Sequence, residues 1–206
     1  MVIKKHNTPP GLDYEPITGA HSHISFGVVQ ASSKGGERRT ASSTIKRRLF
    51  PVGKPAEAND WSNPTCFRHD VLLPIGAPDE WRTSQALAAA YDDQGFSLRD
   101  VAVVLTLRFP EVENLPQQLK LHEAWESARA FAFERLVRVY GVAAVCVMHV
   151  PARASRPGAP HVHILIPARV ILPSGFSMFA KPLATDDGRE VVDHAWTEWL
   201  ERENDR

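Results

Sequence analysis

Short apolar runs separated by polar, glycine- and proline-rich breaks run along this chain, and the spacing of the apolar positions changes from run to run. Ile24 to Gln30, bounded by His23 and a Ser-Ser-Lys-Gly-Gly segment, predicts a first strand. The basic segment that follows predicts a short helix closing at Lys46 onward, and after a proline-containing loop over 51–64, Phe67 to Pro74 predicts another strand. Asp79 precedes Glu-Trp-Arg-Thr-Ser-Gln-Ala-Leu-Ala-Ala-Ala. Aspartate accepts hydrogen bonds from the free amides of a first turn, so a helix is expected to start there. Val101 to Phe109 is dense in β-branched residues, which suit a buried strand. Between Pro116 and Tyr140, Leu121, Trp125, Ala128, Phe131 and Leu136 recur at helical spacing and predict the longest helix, ended by Gly141. Two histidine-bearing strands follow, 173–188 reads as a loop, and Asp193 to Glu203 reads as a last helix. Residues 1–20 are expected to form a weakly structured lead and 21–206 a single domain.

Composition narrows the class. With 206 residues, 43% of them hydrophobic, the chain can bury a proper core. Its apolar runs are interrupted by His, Pro or charge, so no membrane span is expected. Met1-Val-Ile-Lys-Lys-His-Asn-Thr-Pro-Pro lacks the hydrophobic region of a secretory signal, and Cys66 and Cys146 form no zinc-knuckle or disulfide pattern. A cytoplasmic location is the expectation. The formal net charge is zero, unlike that of a DNA-coating domain, yet Lys34, Arg38, Arg39, Lys46, Arg47 and Arg48 cluster with one acid, Glu37. A basic run is ordinarily a solvated face. Directly after the first strand, this one predicts a groove tracking a nucleic-acid backbone.

The candidate chemistry lies in Pro160-His161-Val162-His163-Ile164-Leu165-Ile166 and in His149, which closes the run from Val142 to Met148. Successive side chains of a strand point to opposite faces, so His161 and His163 share one face. A lone His-x-His is ordinarily a pair of hydrogen-bonded or solvated imidazoles. A strand ending at His149 and a short loop over 150–159 would bring a third imidazole beside them, the ligand set for a divalent metal. The loop carries Arg153 and Arg156 and no acid, which suits a phosphate held beside the metal.

These residues carry a family resemblance. A His closing one strand, a loop, then Pro-His-hydrophobic-His with an apolar stretch and an arginine, here Arg169, resembles the HUH endonucleases, in particular the MobA/MobL relaxases of mobilisable plasmids. His23 to Gly35 resembles that family's first strand, His69 to Trp81 its middle segment, and Gly175-Phe176, Lys181 and the helix with Trp196 and Trp199 its last region, in family order. The resemblance implies an α+β fold with a central antiparallel sheet, packed helices, and the two-histidine strand near the middle. It implies single-stranded DNA at a plasmid transfer origin as partner, with accessory mobilisation proteins, and a divalent ion, Mg or Mn, as cofactor. It also implies a reaction in which a tyrosine hydroxyl attacks the scissile phosphorus, the protein stays joined to the 5′ phosphate, and the freed 3′ hydroxyl later religates the strand.

The chain departs from the family at the chemistry. The family's nucleophile lies in a segment of the type Ala-x-Ala-Ala-Tyr-Arg, and the matching Ala41-Ser-Ser-Thr-Ile45-Lys46 places isoleucine at the tyrosine position. Val104 and Thr106 stand where family members carry glutamates. Covalent catalysis needs a hydroxyl or thiol at the attacking position, so the catalytic group is unassigned. Tyr140, before a glycine cap, and Tyr91, after an alanine run, read as packing residues, whereas Tyr14 sits in the lead segment; Ser42, Ser43 and Thr44 read as helix caps. Three readings follow: a metal-dependent nickase with a relocated nucleophile, a metal- and DNA-binding protein without cleavage, and a metal-dependent hydrolase of a smaller phosphate ester.

Overall fold

The computed structural model describes residues 17–18, 23–32, 38–53, 60–94, 100–109, 120–185 and 187–204. Its centre is a six-stranded antiparallel sheet in the order β1-β2-β4-β6-β5-β3, formed by β1 (Ile17–Thr18), β2 (Ile24–Gln30), β3 (Arg68–Leu72), β4 (Asp100–Arg108), β5 (Ala144–His149) and β6 (His161–Pro167). The strand with two histidines lies inside the sheet, between β4 and β5.

The near-continuous apolar runs of β4, β5 and β6 follow from burial on both faces, which removes the usual apolar-polar alternation. On one face Leu105, Met148, Val162 and Ile164 pack against Trp125 and Phe131 of α3 (Leu121–Phe131) and Trp196 of α5 (Gly188–Asn204). The helix begun by α3 continues through a π-helical stretch, Ala132–Val137, into α4 (Arg138–Tyr140). Gly141 then takes φ 63°, a left-handed conformation in which glycine meets no Cβ penalty, and turns the chain into β5. On the other face Val104, Val145, Val147 and Leu165 meet Ile45 and Leu49 of α1 (Ala41–Leu49) and Leu87 and Tyr91 of α2 (Ser84–Asp92). Each such large side chain, removed from water, stabilises the fold by about 1.5–3 kcal/mol.

Helix α1 is held at its start by neighbours. Thr40 Oγ1 accepts the Ser43 amide at 3.0 Å, Ser43 Oγ accepts the Thr40 amide at 3.0 Å, and the Asp92 carboxylate accepts the amides of Ala41 and Ser42 at 2.7 and 2.9 Å. That reciprocal capping sets the direction of α1, whose other end reaches the histidines.

Ile17 and Thr18 pair with Phe26 and Ser25 and form the sheet edge, and the rest of the expected 1–20 lead lies outside the described residues. Two sequence expectations are corrected. Asp79 opens only a 3-10 turn, Asp79–Arg82, since its carboxylate is bound by Arg82 Nη2 at 2.5 Å; Thr83 caps α2 instead, its Oγ1 accepting the Ala86 amide at 3.1 Å. The expected loop over 173–188 contains β8 (Gly175–Phe179), which forms a hairpin with β7 (Arg169–Leu172). Phe176 anchors that hairpin to the 3-10 turn and α2 by stacking on Trp81 at 4.6 Å between ring centroids and meeting the edge of Tyr91 at 5.0 Å. Among the described residues no helix is long and apolar enough to cross a membrane.

Candidate metal centre

Register brings the three histidines together. His149 and His161 are direct cross-strand partners in β5 and β6, and His163 lies two residues along the same face of β6. The ring centroids stand 5.3 Å apart for His149 and His161, 4.7 Å for His149 and His163, and 4.9 Å for His161 and His163, with the planes close to perpendicular. One ring nitrogen from each lies within 4.8 Å of the others, the only such group of three among the described residues.

The partners of the remaining nitrogens explain why these rings suit a metal. A carbonyl only accepts, so His149 Nε2 donates to the Arg48 carbonyl (2.6 Å) and His161 Nδ1 donates to the Ala159 carbonyl (2.9 Å). His149 Nδ1 and His161 Nε2 are thereby left with lone pairs. His163 Nδ1 lies 2.9 Å from Thr106 Oγ1, and with Nδ1 as donor its Nε2 completes a set of three neutral nitrogen ligands. All three partners are uncharged. The hydroxyl of Thr106 does what a carboxylate does in many histidine-metal sites, and Val104 lies fully buried in the core under α1.

Burial holds the imidazoles neutral. It pushes His149 down to about 4 from an ordinary 6.5, lowers His161, and lowers His163 well below the usual range, the two neighbouring imidazoles adding to the effect on His163. Near neutral pH no proton has to leave before a cation binds. Because the unfolded chain binds these protons first, the metal-free protein is expected to lose stability as pH falls from 6.5 towards 4. Thermal melts of metal-free wild type and His149→Gln over that window check the sign: the wild type should fall more steeply.

If the triad holds a metal, Thr106 would orient His163 as a ligand without itself being one. Thr106→Val is therefore expected to weaken metal binding by roughly 10–100-fold. Calorimetric titration of Mn²⁺ into both proteins reads this, and unchanged affinity would show that the hydroxyl has no orienting role.

Of the other expected site residues, Arg153 and Arg156 join the histidines. Together with His149, His161, Phe67 and Cys66 they line a cleft of about 600 Å³. The Arg153 guanidinium lies 4.3 Å above the Phe67 ring, and Arg156 Nη1 donates to the Pro51 carbonyl at 2.9 Å. Arg38 and Arg47 are exposed, Arg39 and Lys46 half-buried, and Lys34 lies outside the described residues. Arg48 is buried at 4% exposure, with Nη1 donating to the Thr44 carbonyl; its backbone oxygen accepts from His149, and its positive charge helps to lower His149 and His163. Arg108 was not anticipated. It is the cross-strand partner of His161, and its Nη1 donates to Ser25 Oγ at 2.9 Å, adding a cation at the rim. Its position just after the apolar run of β4 was the available signal.

Ile45 is fully buried, in the core cluster between α1 and the sheet that includes Leu49, Leu87 and Val104. Tyr91 is also buried, its hydroxyl donating to the Asp100 carbonyl at 2.9 Å and pushed up to about 12 by burial. Tyr140 packs against the opposite core, and Tyr14 lies outside the described residues. Ser43 belongs to the cap of α1, as the sequence suggested for that hydroxyl group.

The antiparallel sheet, its two helical layers and the internal two-histidine strand make an α+β fold. A solved structure described as "Molecular Basis of Vancomycin Resistance Transfer in Staphylococcus aureus" has the same fold, with a TM-score of 0.58 and 22% identity over 87% of this chain and 87% of that one. No protein-family model and no curated protein matches the chain.

Proposed function

We propose that this protein is a relaxase-like component of plasmid mobilisation, holding single-stranded DNA from a transfer origin at a three-histidine metal centre, where the strand is nicked and rejoined. The observation that carries this reading is the hydrogen bonding of the triad, which ties one nitrogen of His149 and His161 to a carbonyl and leaves the other as a ligand. His149, His161 and His163 would hold the ion. Bound there, a divalent cation supplies Lewis acidity to a phosphate oxygen at an open coordination position. Mn²⁺ or Mg²⁺ serves that chemistry, and an all-imidazole ligand set favours Mn²⁺ of the two. Arg108, Arg153 and Arg156 contribute fixed positive charge around the phosphate, and the cleft beside His149 and His161 gives the strand room.

The second reading, metal and DNA binding without cleavage, draws support from the tyrosines. Neither Tyr91 nor Tyr140 lies at the triad, and Ile45 is buried in the core. One experiment separates the readings: end-labelled single-stranded DNA incubated with the protein and Mn²⁺ or Mg²⁺, beside a His161→Ala/His163→Ala control. A metal-dependent, SDS-stable adduct absent from the control is the result expected for a nickase, and the linked peptide identifies its nucleophile. Metal-dependent DNA binding without an adduct selects the binding protein, and absence of metal binding overturns both.

A further inference from the structure

A second cleft, of about 640 Å³, opens on the other side of the segment that leads into β3. This volume falls within the range of small-molecule sites, roughly 300–1,000 Å³. Trp61, His69, Ser84 and Gln85 are among its walls. The charged groups around it are engaged with one another or with neighbours. The Asp60 carboxylate accepts the amide and hydroxyl of Ser62 at 2.8 and 2.6 Å, Asp70 accepts from Arg129 Nε at 2.5 Å, and Arg82 is bound to Asp79. What remains for a ligand is an indole face, an imidazole, an amide and a hydroxyl, a neutral set of donors and acceptors around an aromatic platform. Ser84 is 6% exposed and its Oγ is shielded from solvent with no hydrogen-bond partner. A buried hydroxyl left unpaired carries a desolvation cost that a polar ligand edge would relieve.

This cleft adjoins the metal-side cleft. Cys66 lines the metal-side cleft and His69 lines this one, and their Sγ and Nδ1 are 3.7 Å apart. The end of α1 runs between them, Leu49 facing this cleft and Pro51 the other. The Lys46 ammonium stands 5.4 Å from the Trp61 ring centroid, where it can meet a phosphate joined to a base on that ring.

We infer that the Trp61–Ser84 cleft is a nucleobase subsite, taking one unpaired base of the same strand whose phosphate is held at the histidine triad. The inference rests on the single-stranded DNA reading above. The base stacks on Trp61, its polar edge reaches the Ser84 end of the cleft, and Lys46 faces its phosphate. Stacking on an aromatic ring accepts every base, while the polar edge contacts set a preference among them.

Two measurements test it. In the first, each of the four deoxynucleoside monophosphates is titrated to millimolar concentration into ¹⁵N-labelled protein, with the Trp61 indole N–H signal assigned from Trp61→Phe. At least one nucleotide should shift that signal saturably, and Ser84→Ala should bind it roughly fivefold or more weakly without a lower Tm, because the variant loses an unpaired polar group. In the second, a bound oligonucleotide is scanned with single abasic positions. One position should cost the wild type on the order of tenfold in affinity, and Trp61→Ala should erase that dependence. No nucleotide shift at Trp61 overturns the subsite, as does a flat abasic scan on DNA that binds, and the DNA reading survives both results. A nucleotide shift without any strand binding keeps the subsite and removes the DNA reading.

Discussion

Replacing His161 and His163 together by alanine is expected to abolish metal binding and, with it, the stabilisation that a cation gives the wild type. In the proposed centre the triad would supply the three nitrogen ligands found among the described residues, and its hydrogen bonds to the Arg48 and Ala159 carbonyls and to Thr106 hold the rings in place. A single remaining imidazole, His149, offers one ligand nitrogen instead of three. For the wild type at a metal concentration about 100 times Kd, linkage predicts about 2.7 kcal/mol of added stability. For a domain of this size that is a rise in Tm of roughly 5–10 °C. The double variant should show no rise, and it should lose less stability than the metal-free wild type as pH falls below 6.5, since two imidazoles held low by the fold no longer have to charge. His161→Gln provides the check on folding, because it removes one ligand at a half-buried position. A metal-induced rise in Tm that persists in the double variant would place the cation elsewhere.

Ile45→Tyr is expected to fail as a repair. Sequence alignment with the relaxase pattern makes this the obvious substitution for restoring a nucleophile. Ile45, however, is fully buried and packs with Leu49, Leu87 and Val104 between α1 and the sheet. A phenol there adds volume to a filled core and buries a hydroxyl without a partner. Overpacking of this kind costs about 1–3 kcal/mol, and the unpaired hydroxyl adds to it. The variant should melt roughly 5 °C or more below wild type. It should form no SDS-stable adduct with single-stranded DNA beyond the wild-type level. An adduct on the introduced phenol would show that α1 turns about its axis in the DNA complex and that the packing seen here is only one of its positions.

Both results turn on the same contrast between what a line of residues states and what a fold adds. The buried strand β4, the long helix from Leu121 and the closing tryptophan helix were legible in sequence, because apolar period and β-branched density reflect burial directly, whereas the joining of the strands into one antiparallel sheet was implied only by the family resemblance. The His-x-His pair was legible too, since strand alternation alone puts His161 and His163 on one face. The small elements were harder. Ile17–Thr18 is two residues long and exists only by pairing with β2, and β8 is held by the contacts of Phe176 with Trp81 and Tyr91. Asp79 carried a capping signal, but its carboxylate is paired with Arg82 and the cap of α2 is Thr83.

Sequence by itself thus determined that the chain builds an α+β core and that His149, His161 and His163 could meet, because those properties depend on local period and a short connection. Tertiary structure alone decided which ring nitrogens are left as ligands. The answer comes from the Arg48 carbonyl at 101 positions' separation from His149 and from the Thr106 hydroxyl at 57 positions' separation from His163. It also decided that the Arg48 carbonyl meets His149, that Arg108 stands beside His161, and that Ile45 is buried in the core. The direction of a helical side chain follows from how the helix lies on the sheet, and that orientation is set by caps and contacts far apart in the chain.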